Sequence, residues 1–169
     1  MLKPLFCSLI FFLAININYG QAQKNSLSKE EATIKKVIEN ESKYFWARKL
    51  DKWKSTWVQE PYIVWTAATQ DGVRQYKGWE AWLNQVEDFF KTSPEPMPYK
   101  KAVKKYDYKF RIYGNGAWVS FTQENEGTKT IETRIMEKIN GEWKIAMVEL
   151  IFDANQDEDK ETADNNPTN

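Results

Sequence analysis

Three observations predict an α+β domain. Apart from one hairpin, the first half of the chain spaces its apolar residues as helices do, from Ile34 to Phe90. The second half reads as four long strands. Those strands are joined by tight turns at Gly114-Asn115-Gly116, at Gly127 and at Asn140-Gly141. Tight turns join antiparallel neighbours. Helices gathered ahead of such a run of strands give α+β architecture. If the sheet curls, its concave face and the helices enclose a cavity.

Ser28-Lys29-Glu30-Glu31 has the form of a capping box, with Ser28 as N-cap and Glu31 at N3. Ile34, Val37, Ile38 and Phe45 follow at helical spacing, so a first helix is predicted over about 30–49. Asp51 can cap a short second helix, which carries Trp53 and Trp57 four residues apart on one face. Pro61 stops helix formation. Residues 62–66 (YIVWT) are β-formers. An Asp-Gly turn signal at Asp71-Gly72 lets 73–76 return as a second strand. Gly78 opens a third helix with Trp79, Trp82, Leu83, Val86, Phe89 and Phe90 on one face, and Pro94, Pro96 and Pro98 end it. Tyr106, Tyr108, Phe110 and Ile112 alternate with polar positions in the next strand. Strands at 117–126, 128–139 and 142–152 complete the order. Asn140-Gly141 is the strongest hairpin signal in the chain.

The ends read differently. In 1–23 (MLKPLFCSLIFFLAININYGQAQ), Lys3 precedes an apolar run, and Gly20 and Ala22 stand at −3 and −1 of a cut before Gln23. That is the pattern of a secretory signal peptide. The run is about half the ~20 residues that span a bilayer. The expected organisation is a cleaved leader over 1–22, a domain over 23–152 and an acidic tail over 153–169. The tail has no large apolar residue and is expected to stay disordered. The mature protein is expected in the periplasm or outside the cell, with no membrane attachment. Cleavage removes Cys7, the single cysteine.

The whole chain has 24 basic and 24 acidic residues and no histidine. Without histidine there is no Ser-His-Asp triad and no histidine metal site. Without leader and tail, 23–152 holds 22 bases and 18 acids, too even a balance for a nucleic-acid footprint. No metal and no cofactor are expected.

Four segments carry a resemblance: EEATIKKVIENESKYFWARKLDKWKSTW, GWEAW, GNGAWVSF and ETRIMEKINGEWKIAMVEL. In this order and spacing the chain resembles the nuclear transport factor 2-like superfamily, in its SnoaL-like bacterial branch, over about 30–152. The resemblance implies a cone-shaped fold, with a curved antiparallel sheet packed against three helices around a deep pocket. It also implies homodimers formed through the sheet. Enzymes of this group commonly use a pocket Asp, Tyr or His. Where the last strand often carries His four and six residues after its Trp, this chain has Met147 and Glu149. Near the end of the first strand it has Thr66 and no acid.

Candidate residues follow from chemistry. Period two would place Ile145, Met147, Glu149 and Ile151 on one face. If that face lines the pocket, desolvation would raise the Glu149 pKa towards general-base range. Arg134 could bind an anionic group or pair with Glu149; a surface cross-strand pair is the plainer alternative. Trp53, Trp57, Trp65 and Trp118 are candidate cavity walls, with core packing the alternative for each. Tyr44 and Tyr62 could add hydroxyl donors. Lys100, Lys101, Lys104 and Lys105 read as an edge-strand guard. The resulting expectation is an exported small-molecule-binding protein with an aromatic-lined pocket for an apolar, aromatic or sugar ligand. Two alternatives stand beside it: a cofactor-free isomerase, cyclase or hydrolase with Glu149 as base, and a structural dimer without catalysis.

Overall fold

Ile34 and Ile38 lie about one helical turn apart and are both fully buried. They hold the first helix against a sheet. The computed structural model describes residues 7–97 and 103–152, with side chains from residue 27 on. The acidic segment 153–169, Lys100, Lys101 and the leader's side chains lie outside the described residues.

Helix α1 spans Cys7–Trp46 and is followed by the short α2, Leu50–Lys54. The expected helix start is corrected. Ser28 lies inside α1 rather than capping it, because the backbone is already helical from Cys7. Asp51 is likewise no cap: it sits in the first turn of α2, whose N-cap is Lys49. Strands β1 (Val64–Thr69) and β2 (Gly72–Lys77) form the first hairpin, and α3 (Trp79–Thr92) follows. Gly78 is the N-cap of α3 at φ 86, a left-handed conformation that suits glycine. Strands β3 (Val103–Tyr113), β4 (Gly116–Asn125), β5 (Thr128–Ile139) and β6 (Glu142–Phe152) complete the chain.

The strands form one curved, open sheet in the order β2-β1-β6-β5-β4-β3. All neighbours are antiparallel except β1 and β6, which run parallel. The chain reaches that pairing through β2, α3 and the β3–β5 meander. At the β5–β6 turn, Asn140 and Gly141 both have positive φ, 52 and 84, as a two-residue hairpin turn of this twist requires.

The helices cover one sheet face. Ala117, Val119 and Phe121 point into the core from β4, and Trp143, Ile145 and Val148 from β6. A bulge decides the facing of β6. Its partners step from Ile135↔Met147 to Met136↔Ile145, leaving Ala146 as the extra residue. A bulge reverses the in–out sense of everything beyond it. Ile145 is therefore core, while Met147, Glu149 and Ile151 share the face turned away from the helices. The expectation that all four lie on one face fails for this reason.

Four tryptophans fill the space between helices and sheet. Trp53 and Trp57 are fully buried, and Trp79 and Trp82 are each 6% exposed. Trp53 meets Trp57, Trp79 and Trp82 with ring centroids 5.7–5.9 Å apart. A buried Trp removes roughly 200 Å² from water, on the order of 5 kcal/mol. The indole N–H groups of Trp57 and Trp82 find no partner among the described residues, which costs about 1–3 kcal/mol each. Burial wins, and these rings become core.

Candidate functional site

Two cavities meet on the inner face of the first hairpin. The larger, about 440 Å³, is lined by β1 (Trp65, Ala67, Thr69), the hairpin tip and β2 (Gly72, Val73, Arg74), together with Phe152 at the end of β6. The smaller, about 170 Å³, lies between β1–β2, the end of α1 (Phe45) and α3 (Trp82, Gln85, Val86, Phe89). Trp65 and Arg74 line both. Local pattern explains the placement. Trp65 pairs with Tyr76 across the hairpin, and Ala67 with Arg74. Alternation then turns Arg74 and Tyr76 towards the same inner face.

The walls are fixed by stacking. Trp65 stacks on Trp82 at 4.7 Å with 12° between planes. Phe45 stacks on Phe89 at 5.3 Å and 4°. Arg48, at φ 56, locks this corner. Its Nε donates to the Ser93 carbonyl at 2.7 Å and its guanidinium lies 4.7 Å from the Phe89 centroid. The Tyr76 hydroxyl donates to Gln85 Oε1 at 2.8 Å, bridging hairpin to α3. By contrast, the Arg74 guanidinium has no ion pair and no hydrogen bond among the described residues. Asp71, at the hairpin tip, lines the larger cavity without pairing with it.

A second polar cluster sits deeper, between α1 and the inner face of β3–β5. Arg134 donates from Nε and a terminal nitrogen to Glu132 Oε2 at 3.0 and 2.6 Å. It lies 3.8 Å from Glu41 Oε2. Trp53 Nε1 donates to Glu41 Oε1 at 2.9 Å, the Ser42 hydroxyl donates to Glu41 Oε2 at 3.2 Å, and Lys105 Nζ donates to Ser42 Oγ at 2.9 Å. Arg134, Glu132 and Glu41 are all buried. Burial opposes the Arg134 charge, but Glu132 and then Glu41 outweigh it and raise the guanidinium pKa. Lys105 shows the reverse balance: burial lowers its ammonium pKa although Glu132 and Glu41 oppose the fall. Glu132 Oε1 has no partner among the described residues. Among those residues, no group of three His, Cys, Asp or Glu is arranged to hold a metal ion.

The sequence-based candidates separate accordingly. Trp65 lines both cavities. Arg134 faces inward, but it pairs with Glu132 and Glu41 rather than Glu149. Trp57 is core, and Tyr44 packs against that core; neither lines the cavities. Tyr62 is 57% exposed and donates to Glu137 Oε2 at 2.7 Å. That bond, then burial and the charge of Glu137, push its pKa up to about 12. Trp118 faces away from the helices, because its neighbours Ala117 and Val119 take the core positions. Glu149 also faces away, between Thr66 and Thr133. Sequence reasoning missed Arg74, Tyr76 and Phe152. The alternation of Arg74 and Tyr76 in a strand paired with Trp65's strand was the available signal.

No protein-family model matches the chain, and no curated protein is detectably similar to it in sequence. Solved structures are similar in fold. An NTF2-like protein of unknown function from Shewanella oneidensis MR-1 superposes with TM-score 0.55 at 16% identity, over 72% of this chain and 98% of its own. An NTF2-like protein of unknown function from Pseudomonas putida KT2440 gives 0.56 at 16% identity, over 73% and 87%. A cystatin-like fold protein from Burkholderia xenovorans LB400 gives 0.55 at 14% identity, over 72% and 89%. Open curved sheet, helices over its concave face and these superpositions agree: the chain has the NTF2-like fold.

Proposed function

We propose that the chain is an exported small-molecule-binding protein of the SnoaL-like kind, holding an apolar or aromatic ligand in the groove between the first hairpin and the ends of α1 and α3. One observation carries the reading: a ring-walled cavity opens into a roomier, partly polar one across Trp65. Ligand sites characteristically combine apolar walls with a few polar groups. Glu149 lies on the opposite sheet face, which favours binding over general-base catalysis through that residue. Export is supported by the leader pattern over 1–22.

The test is mass spectrometry of small molecules retained by the protein isolated from its own cell envelope. The expected result is one consistently retained compound that is lost in Trp65→Leu. An empty protein, with tryptophan fluorescence that no aromatic or apolar compound changes, overturns the reading.

A further inference from the structure

The smaller cavity has the dimensions of a single ring. An apolar cavity of about 150 Å³ is enough to hold benzene, and this one is about 170 Å³. Its lining is almost wholly apolar, with Phe45, Trp65, Tyr76, Trp82, Val86 and Phe89 as walls. The Gln85 amide oxygen is already engaged by the Tyr76 hydroxyl. A flat aromatic ring therefore suits the space better than a hydroxyl-rich sugar, whose polar groups would go unpaired there.

Arg74 supplies the second half of the argument. It borders both cavities, and its guanidinium is unpaired among the described residues. A planar guanidinium with its donors free binds a carboxylate by two parallel hydrogen bonds. The acidic group bordering the same space is Asp71, and it forms no ion pair with Arg74. Arg134 is already neutralised by Glu132 and Glu41, and Arg48 donates to the Ser93 and Phe45 carbonyls, so neither offers a ligand a comparable free fork.

We propose that the groove takes a one-ring aromatic acid, with the ring in the smaller cavity and the carboxylate on Arg74 at the junction with the larger one. This rests on the ligand-binding reading above and names the chemical class for it. No bond is made or broken; the step is recognition. The larger cavity leaves room for a short chain between ring and acid.

The experiment is calorimetric titration of the full chain with benzoate and phenylacetate, each beside its neutral amide. The acids are expected to bind about tenfold or more tighter than the amides. Arg74→Gln should remove that preference while leaving amide binding within about twofold. Arg74→Lys, which keeps the charge but not the fork, should restore it only in part. Arg74 is exposed on a hairpin strand, and an unchanged near-ultraviolet dichroism spectrum checks the fold. Equal affinity for acid and amide, or an Arg74→Gln protein that keeps the preference, overturns this inference and leaves the ligand-binding reading standing. Binding of neither acids nor amides at millimolar concentration also overturns this inference, while the ligand-binding reading falls only if the protein in addition retains no compound from its own cell envelope.

Discussion

Arg134 is held where a charge survives only in company. Its guanidinium is 5% exposed and shares its space with Glu132 and Glu41. Removing one partner of a buried ion pair strands the other, at a cost of about 3–5 kcal/mol. Arg134→Met is expected to lower stability by that amount in urea unfolding, and a loss under 1 kcal/mol would contradict the geometry. The inward position of Arg134 was among the sequence alternatives; its partners were not, because they come from α1 and its own strand. Tyr62 gives a second expectation at this scale. Its bond to Glu137 lifts its pKa from 10 to about 12. The sign is that of a raised pKa: the stabilisation is present below about pH 10 and disappears as pH rises towards 12. The difference in alkaline absorbance titration between the parent and Tyr62→Phe should show one tyrosine with a midpoint near 12. In Glu137→Gln that midpoint should fall back towards 10. Glu149→Gln should leave ligand affinity unchanged, since the residue lies on the far face of the sheet.

Among the elements, turns were legible and junctions were not. Asn140-Gly141 stands where the sequence puts it, because a turn's φ values are local demands, and the first hairpin turns within Thr69–Gly72, through Gln70 and Asp71, with Gly72 at φ 118 opening β2. Gly78 answers a local and a tertiary demand together. It sits at φ 86, and an added Cβ would come within 3.3 Å of the Pro61 carbonyl oxygen. Gly78→Ala should therefore cost more than about 1 kcal/mol, read as a lowered unfolding midpoint. The bulge at Ala146 had no such local signature and reversed the facing of Glu149. Helix α1 is tied to the β5–β6 hairpin by Glu30, whose carboxylate accepts from Lys138 Nζ and from Trp143 Nε1. The Lys138 bond, then the Trp143 bond, hold the Glu30 pKa below its usual value. A lowered acid pKa contributes stability above about pH 4.5, lost as pH falls through the folded-state value. Glu30→Gln should flatten that part of the acid unfolding curve.

For the whole molecule, the outer sheet face presents Ile131 and Ile151, 47% and 43% exposed, as cross-strand partners. Ile135 and Met147 pair beside them, with Trp118 opposite Ile135. We propose that a second copy covers this face. Sedimentation at tens of micromolar should show a dimer, and Ile131→Glu should yield a monomer; a monomeric parent protein would refute it. The leader belongs to the same scale. N-terminal sequencing of native protein should begin at or near Gln23, and a start at Met1 would refute export by cleavage. Cleavage there would shorten α1 and leave Ser28 and Glu31 close to its new start, where the capping pair regains its use.

By itself the sequence determined the α+β class, the third helix, both strong turns and the order of strands, since periodicity and turn chemistry act over a few residues. Only the tertiary structure decided that β1 lies parallel beside β6. That pairing joins residues some eighty positions apart, and no local pattern encodes it. It also decided which tryptophans become walls. Trp57 and Trp65 have the same chemistry, but Trp57 is enclosed by Trp53 and Trp82, while Trp65 stands on the hairpin at the edge of the concave face. The site therefore depends on where the hairpin docks, and Arg74 gained its place beside Trp65 through strand register.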